Sequence, residues 1–402
     1  MLQLEEARQR LIDAIAPLPT ESISLRVATG RVLAGEVISP IDLPAFDNSA
    51  MDGYAVRSAD VSCASPDSPV ALKLVGRSAT GEVFAGTVPA GSCVRVFTGS
   101  MLPHGSDAVV MQEDTHLDAG QPETVFFMDR AKPWENVRLR GEDVNAGATL
   151  AQAGERMTAG RSGLLAAAGI SSVSAHRRPI IGLLATGSEL VETSTPLAPG
   201  KIYESNRLVL EPLLIRSGAV ARIFPLVPDT LDATCQALKQ AFDECDGVVT
   251  SGGVSVGELD FVKAAFEQLG GSMDFWRVAI KPGKPFVFGR RREKLLFGLP
   301  GNPVSALVTF LLLVRPALWR WQGATNIMPL TAHCVLAEPL VNHGDRRHFM
   351  RVRVDEKGEA SSTGTQASHL LSSLAGANGL VDVPANSTLA AGSLVRVIRM
   401  DD

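Results

Sequence analysis

What the chain lacks narrows it first. Cysteine is sparse: the five residues at 63, 93, 235, 245 and 334 are scattered, with no C-x-x-C pair and no zinc-like Cys/His spacing. They read as buried free thiols of a reducing compartment. A basic excess is also missing. The formal net charge of −5 argues against a nucleic-acid binder, although a local lysine cluster can oppose it and hold a small anion. No long hydrophobic run is present. The most apolar stretch, Ala306 to Val314, falls far below the ~20 residues that cross a bilayer. The opening residues, Met1 to Arg8, resemble the first turns of an amphipathic helix rather than a signal peptide. There is no internal repeat and no low-complexity segment. The expectation is a soluble cytoplasmic protein with neither a nucleic acid nor a membrane as partner.

What is present is enough chain for more than one core. At 402 residues with 45% hydrophobic and 20% charged content, roughly two to four globular domains are expected. From about 180 to 320 the pattern alternates strand and helix. Pro179 to Thr186 is a short apolar run stopped by Gly187, which suits a buried strand. Asn206 to Ser217 follows as a helix with Gly218 at its end, and Ala219 to Val227 reads as a strand. Leu231, Cys235, Leu238, Phe242 and Cys245 mark one buried helix face, with Asp229 as its N-cap. Gly247 to Thr250 is the next strand, and Phe261 to Leu269 the next helix. Lys294 to Gly298 is a further strand, and Val304 to Trp319 a long helix. Repeated strand-helix units predict a parallel sheet with helices on both faces. Glycine-bearing loops at 186–189, 251–258 and 299–302 then leave the carboxyl ends of strands, where such sheets bind ligands. The flanks, 46–145 and 327–402, carry short alternating segments split by Gly and Pro and read as small β domains.

The loop Ser251-Gly-Gly-Val-Ser-Val-Gly-Glu-Leu-Asp260 admits three readings. Gly253-Val-Ser255-Val-Gly257 is a literal nucleophile-elbow pattern. Against it, three residues intervene before the helical pattern, no oxyanion segment precedes it, and histidines 333, 343, 348 and 369 lie in the separate C-terminal domain. The glycines instead let backbone N–H groups face an oxyanion, and Lys281-Pro-Gly-Lys-Pro285 adds two ammonium groups around a shaped turn. The third reading is a metal. Asp260 and Glu189 from neighbouring loops suit a hard cation, which takes one or two carboxylates with phosphate oxygens. The bland alternative for Asp260 is a helix cap on the N–H of Val262 or Lys263. Outside this domain, Phe46 to Ala55 packs more polar groups than turn chemistry easily explains, and Phe97-Thr-Gly99 and Arg140-Gly-Glu-Asp143 place polar groups at strand ends.

Five motifs occur in one order: Phe46-Asp-Asn-Ser-Ala-Met-Asp-Gly-Tyr-Ala55, Thr186-Gly-Ser-Glu-Leu190, Ser251 to Gly257 with Asp260, Lys281-Pro-Gly-Lys-Pro285, and Leu299-Pro-Gly-Asn-Pro-Val-Ser305. Together they resemble the MoeA family, the molybdopterin molybdenumtransferases related to the gephyrin E domain, over nearly the whole chain. Ser188 departs from it, since many relatives carry Asp there.

The resemblance implies a multidomain α/β plus β subunit. An elongated linker domain would be formed by 1–45 and 146–178, with a β domain inserted at 46–145. A central parallel-sheet, MogA-like domain would span 179–326 and a C-terminal β-barrel 327–402. It implies a homodimer in which Asp52, Thr98 and Asp143 complete the partner's site. The reaction implied is Mg²⁺-dependent insertion of molybdate into adenylylated molybdopterin with release of AMP, and a molybdopterin adenylyltransferase is the implied pathway partner. Glu189 and Asp260 would hold the metal. Lys281, Lys284, Ser305, Arg351 and Ser368 would contact the oxyanion. Ser251, Gly252, Gly253 and Ser255 would wall the anion pocket, and Pro300, Gly301 and Asn302 would approach the pterin nucleotide. Two rivals stand beside this: a non-catalytic dimeric scaffold of the same family, and a serine hydrolase using Ser255.

Overall fold

The computed structural model describes residues 1–254 and 260–400. Ser255, like the rest of 255–259, lies outside the described residues, so the nucleophile reading is not addressed by the fold.

At the centre is a six-stranded sheet in the order Val220–Ile223, Ile180–Ala185, Gly247–Ser251, Lys294–Leu299, Val287–Arg291, Ser272–Trp276. The first four strands are mutually parallel. Gly247–Ser251 is buried at every position, because helices cover both faces of the sheet and leave no solvated side to alternate with. The all-parallel expectation fails at one edge. Val287–Arg291 pairs antiparallel with both Lys294–Leu299 and Ser272–Trp276, and neither edge strand was recognised in the sequence. Only Arg292 and Glu293 separate Val287–Arg291 from Lys294–Leu299, far too few for a crossover, so the chain must reverse in a hairpin. The strand expected over 219–227 is shorter, stopping at Ile223.

The helix Leu231–Glu244 is capped by Thr230, not Asp229. Thr230 has the extended backbone of an N-cap, and its hydroxyl accepts the Ala233 N–H at 3.3 Å. Asp229 instead accepts the Ser188 N–H at 2.8 Å, while Ser188 Oγ accepts the Asp229 N–H at 2.9 Å. Ser188 thus fastens the 186–189 loop to its neighbour.

The long helix runs over Pro303–Trp321. It is long and apolar enough to match a membrane span, yet 94% of that window is buried inside the chain's own core. Leu4, Ala7 and Leu11 of the N-terminal helix Leu4–Asp13 pack into the same core, as do Phe349 and Leu380 from the C-terminal region. That shared core fixes the C-terminal domain against the ends of the central strands.

In the C-terminal region, Arg347–Val354, Glu359–Ser362, Thr331–Leu336, Leu394–Arg399 and Gly379–Val383 pair in turn, and the last pairs back with the first. The ring closes, as a barrel requires. A short strand from the central domain, Ile280–Lys281, joins it parallel to Arg347–Val354, setting Lys281 opposite His348. The β-rich region between 46 and 145 forms its own six-stranded sheet around Tyr54, Cys93, Val125 and Phe127. The segments on either side of it are joined by the pairs Thr20–Ser24 with Ser172–His176 and Val37–Ile38 with Thr149–Ala151.

Candidate functional site

The three strand-end loops converge. Thr186 N–H donates to Ser251 O at 3.0 Å, and Gly252 N–H to Leu299 O at 3.0 Å, so each loop is pinned to the next. Gly252 adopts φ +91°, and a Cβ there would stand 2.6 Å from Thr186 O. Only glycine permits both the conformation and the approach. Asn206, at the start of its helix, then ties the loops together. Its Nδ2 donates to Ser251 Oγ at 2.6 Å and to Gly301 O at 2.7 Å. Sequence reasoning missed Asn206, because one amide in a first helical turn is indistinguishable from ordinary capping.

A cavity of about 610 Å³ opens over these loops. Glu189 and Asp260 both line it, with Thr186, Ser251, Asn206 and Asn302. The two expected metal carboxylates are therefore brought to one space. Among the described residues no group of three or more His, Cys, Asp or Glu is arranged for a metal. One or two carboxylates are what a hard cation takes when substrate oxygens and water complete its shell, and Glu189 and Asp260 fit that requirement. Thr186 Oγ1 and Asn206 Oδ1 are buried without hydrogen-bond partners in the described structure, leaving unmet polar capacity around the same loops. The Val262 N–H, one of the two donors a capping Asp260 would take, donates to Gly253 O at 3.2 Å.

A second, adjoining cavity of about 970 Å³ lies between the central domain and the barrel. Pro285, Pro300, Asn302 and His369 line both. Here Lys281 and Lys284 stand exposed while the intervening Pro282 and Gly283 are buried, so the loop is anchored by its backbone and presents its ammonium groups. Neither ammonium has an ion-pair partner among the described residues. Ser305, in the first turn of the long helix, is buried and lines the floor. Asn302 Nδ2 donates to Ser368 Oγ at 3.0 Å, and Val304 N–H to Ser368 O at 3.2 Å, joining the two domains across the cavity.

Two expectations are corrected here. Arg351 does not line this cavity. Side chains alternate along a strand, so His348 and Met350 face it while Arg347, Phe349 and Arg351 face away. Arg351 is fully buried behind the wall, donating to Thr365 O at 3.0 Å, Ala367 O at 3.2 Å and Ser373 Oγ at 2.9 Å. Its place is to hold the 365–367 segment, which does line the cavity. The histidines of the C-terminal domain are not remote either. His343, His348 and His369 all line the cationic cavity, with Arg346. Burial, reinforced by Lys281, Arg351 and Arg346, pushes the His348 pKa down to about 4.

Asp52 and Thr98 are brought together. Asp52 Oδ1 accepts the Thr98 N–H at 2.7 Å and its hydroxyl at 2.8 Å, and these bonds hold the carboxyl below the usual range. Asp143 is exposed on a separate loop. None of the three lines either cavity within one chain. Much of the rest of the Phe46–Ala55 stretch is spent locally: Asp47 Oδ1 accepts the Arg140 N–H at 2.7 Å, and Ser49 Oγ donates to Met51 O at 2.5 Å.

Comparison with known proteins agrees with this architecture. Residues 2–169 match the MoeA N-terminal region (domain I and II), 182–320 a probable molybdopterin binding domain, and 333–400 the MoeA C-terminal region (domain IV). A molybdopterin molybdenumtransferase of Haemophilus influenzae is 41% identical over 384 residues, covering 94% of this chain and 93% of that protein. One from Bacillus subtilis is 34% identical over 95% of this chain and 90% of its own. The crystal structure of a molybdopterin biosynthesis MoeA protein from Pyrococcus horikoshii superposes with a TM-score of 0.85 at 29% identity, covering 99% of this chain and 100% of that one. With domain order and overall fold in agreement, the chain belongs to the MoeA family of molybdopterin molybdenumtransferases.

Proposed function

We propose that this chain is a cytoplasmic enzyme that inserts molybdate into the dithiolene of adenylylated molybdopterin, with Mg²⁺-dependent release of AMP. The observation that carries this is the junction of two cavities of opposite character. Among the described residues, one holds two carboxylates and the other two lysines without an ion-pair partner, and they share Pro285, Pro300, Asn302 and His369.

A tetrahedral dianion fits the cationic side. Lys281 and Lys284 supply charge-assisted hydrogen bonds, and the Ser305 hydroxyl a further donor. The backbone of 300–302 and the Ser251–Gly253 loop face the acidic side, where a nucleotide's phosphates approach closely without side-chain obstruction. Glu189 and Asp260 would hold Mg²⁺ there, and when bound it offsets phosphate charge as the anhydride breaks. Water adds across that anhydride to leave AMP and the terminal phosphate of molybdopterin, while the dithiol of the molybdopterin forms two bonds to the molybdenum of the molybdate held by the lysines, its two protons leaving with one displaced oxygen as water.

Asp52, Thr98 and Asp143 line neither of these two cavities within one chain, and we assign them to a homodimer in which they complete the partner's site. The adenylylated substrate has to come from a molybdopterin adenylyltransferase. AMP release from adenylylated molybdopterin by the purified chain, dependent on both molybdate and Mg²⁺, is the expected result. No AMP, or AMP independent of molybdate, rejects the proposal. Mixing Asp52→Ala with Asp260→Ala chains restores about a quarter of turnover if the site is shared between copies, and none if it is not.

A further inference from the structure

The cationic cavity contains a residue that the reaction above does not use. His348 is 4% exposed, it lines the cavity, and its Nε2 is buried with no hydrogen-bond partner among the described residues. An unmet buried nitrogen costs on the order of 1–3 kcal/mol, so its persistence beside a ligand cavity calls for an occupant. Its position is fixed by the fold, because Lys281 pairs with His348 across the parallel strand register.

The charges around it are nearly all of one sign. Lys281 and Lys284 face the cavity from the central domain, Arg346, His343 and His369 from the barrel, and Arg351 lies behind the same strand. Glu338 is the one carboxylate among the described lining residues. Asp382, on the strand paired with that of His348, is taken by Arg347, and Asp345 by Arg346. With no anion in the cavity, a proton on this imidazole would meet cations from every side.

We propose that His348 is a further oxyanion-binding residue of this cavity, protonated as the anion enters, so that molybdate binds together with a proton from solvent. This rests on the cavity being the molybdate site. Burial and the surrounding cations hold the empty-site pKa at about 4, so the imidazole starts neutral. An opposite charge within contact distance raises such a pKa by about 1–3 units, enough to carry it towards neutrality. The sign follows: at about pH 6 the free site is neutral and the occupied one protonated, whereas at about pH 8 neither is. Affinity therefore falls as pH rises. Full linkage of a proton changes the dissociation constant by about tenfold per pH unit.

The test is calorimetric titration of the intact protein with sodium molybdate at about pH 6, in two buffers of different ionisation enthalpy. The expected result is net proton uptake by the unsubstituted protein, weaker binding at about pH 8, and loss of both effects in His348→Gln. A Lys284→Ala variant, expected not to bind, marks the cavity as the site measured. Binding without proton uptake overturns the role of His348 while leaving the lysine site standing. Uptake that survives in His348→Gln assigns it to another group and also overturns it. If the unsubstituted protein does not bind molybdate, both readings fall. NMR of ¹³C-labelled histidine in the unsubstituted protein needs no variant. Its buried imidazole signal should titrate well above its free value once molybdate is added, and an unmoved titration contradicts the proposal.

Discussion

The two cavities of the central site invite direct comparison. They share a wall at Pro285, Pro300, Asn302 and His369, yet among the described residues one is lined by two carboxylates and no lysine or arginine, while the other gathers two lysines, an arginine and three histidines. The difference lies in which elements supply each. The acidic cavity is built from loops leaving the parallel strands, tied by Asn206. The cationic one needs a second domain, because its histidines and arginine come from the barrel. A molecule of net charge −5 thus concentrates positive charge at one domain junction.

Substitutions that remove one side's charge should expose that division. The largest effect is expected for Lys284→Ala. Loss of a preorganised donor to an anion lowers turnover by about 10²–10³-fold, and molybdate binding by calorimetry should fail with it while Mn²⁺ binding persists. Asp260→Ala should do the reverse, cutting turnover by roughly 10-fold to 100-fold at low Mg²⁺ with molybdate affinity unchanged. If either variant lost both ligands equally, the division between cavities would be wrong.

Arg351→Met tests the cavity wall rather than its lining. Stranding Thr365 O and Ala367 O should cost about 2–3 kcal/mol in urea unfolding, with any loss of molybdate affinity following from the displaced segment.

The smallest effect is a pH dependence of stability. His348 has a folded pKa of about 4 against an ordinary 6.5, so the unfolded chain binds its proton first as pH falls. Stability is fully present above 6.5 and declines towards 4, with on the order of 2 kcal/mol lost by about pH 5. In His348→Gln that component of the acid limb should vanish, as read by unfolding midpoints at matched pH.

Much of this was legible in sequence because it depends on local pattern. Apolar runs stopped by glycine marked the parallel strands, and two lysines about a Pro-Gly turn marked a shaped loop that presents both at a cavity. What the sequence hid depends on register and parity. Arg351 and His348 sit three apart on one strand, and only the pleat decides that His348 faces the cavity while Arg351 supports it from behind. The edge hairpin at 287–299 escaped because its two-residue turn, Arg292-Glu293, carries none of the usual glycine signal; Arg292 adopts φ +55° without it. Asn206 escaped because its importance lies in bonding residues 45 and 95 positions away. The histidines escaped because distance along the chain was taken for distance in space.

The central claim is that anion and metal occupy separate, adjoining cavities. Crystals soaked with sodium tungstate and Mn²⁺ test it most directly, since both give anomalous scattering. The account predicts a tungsten peak between Lys281 and Lys284 and a manganese peak between Glu189 and Asp260. A tungsten peak beside the carboxylates, or manganese bound away from both of them, would contradict it.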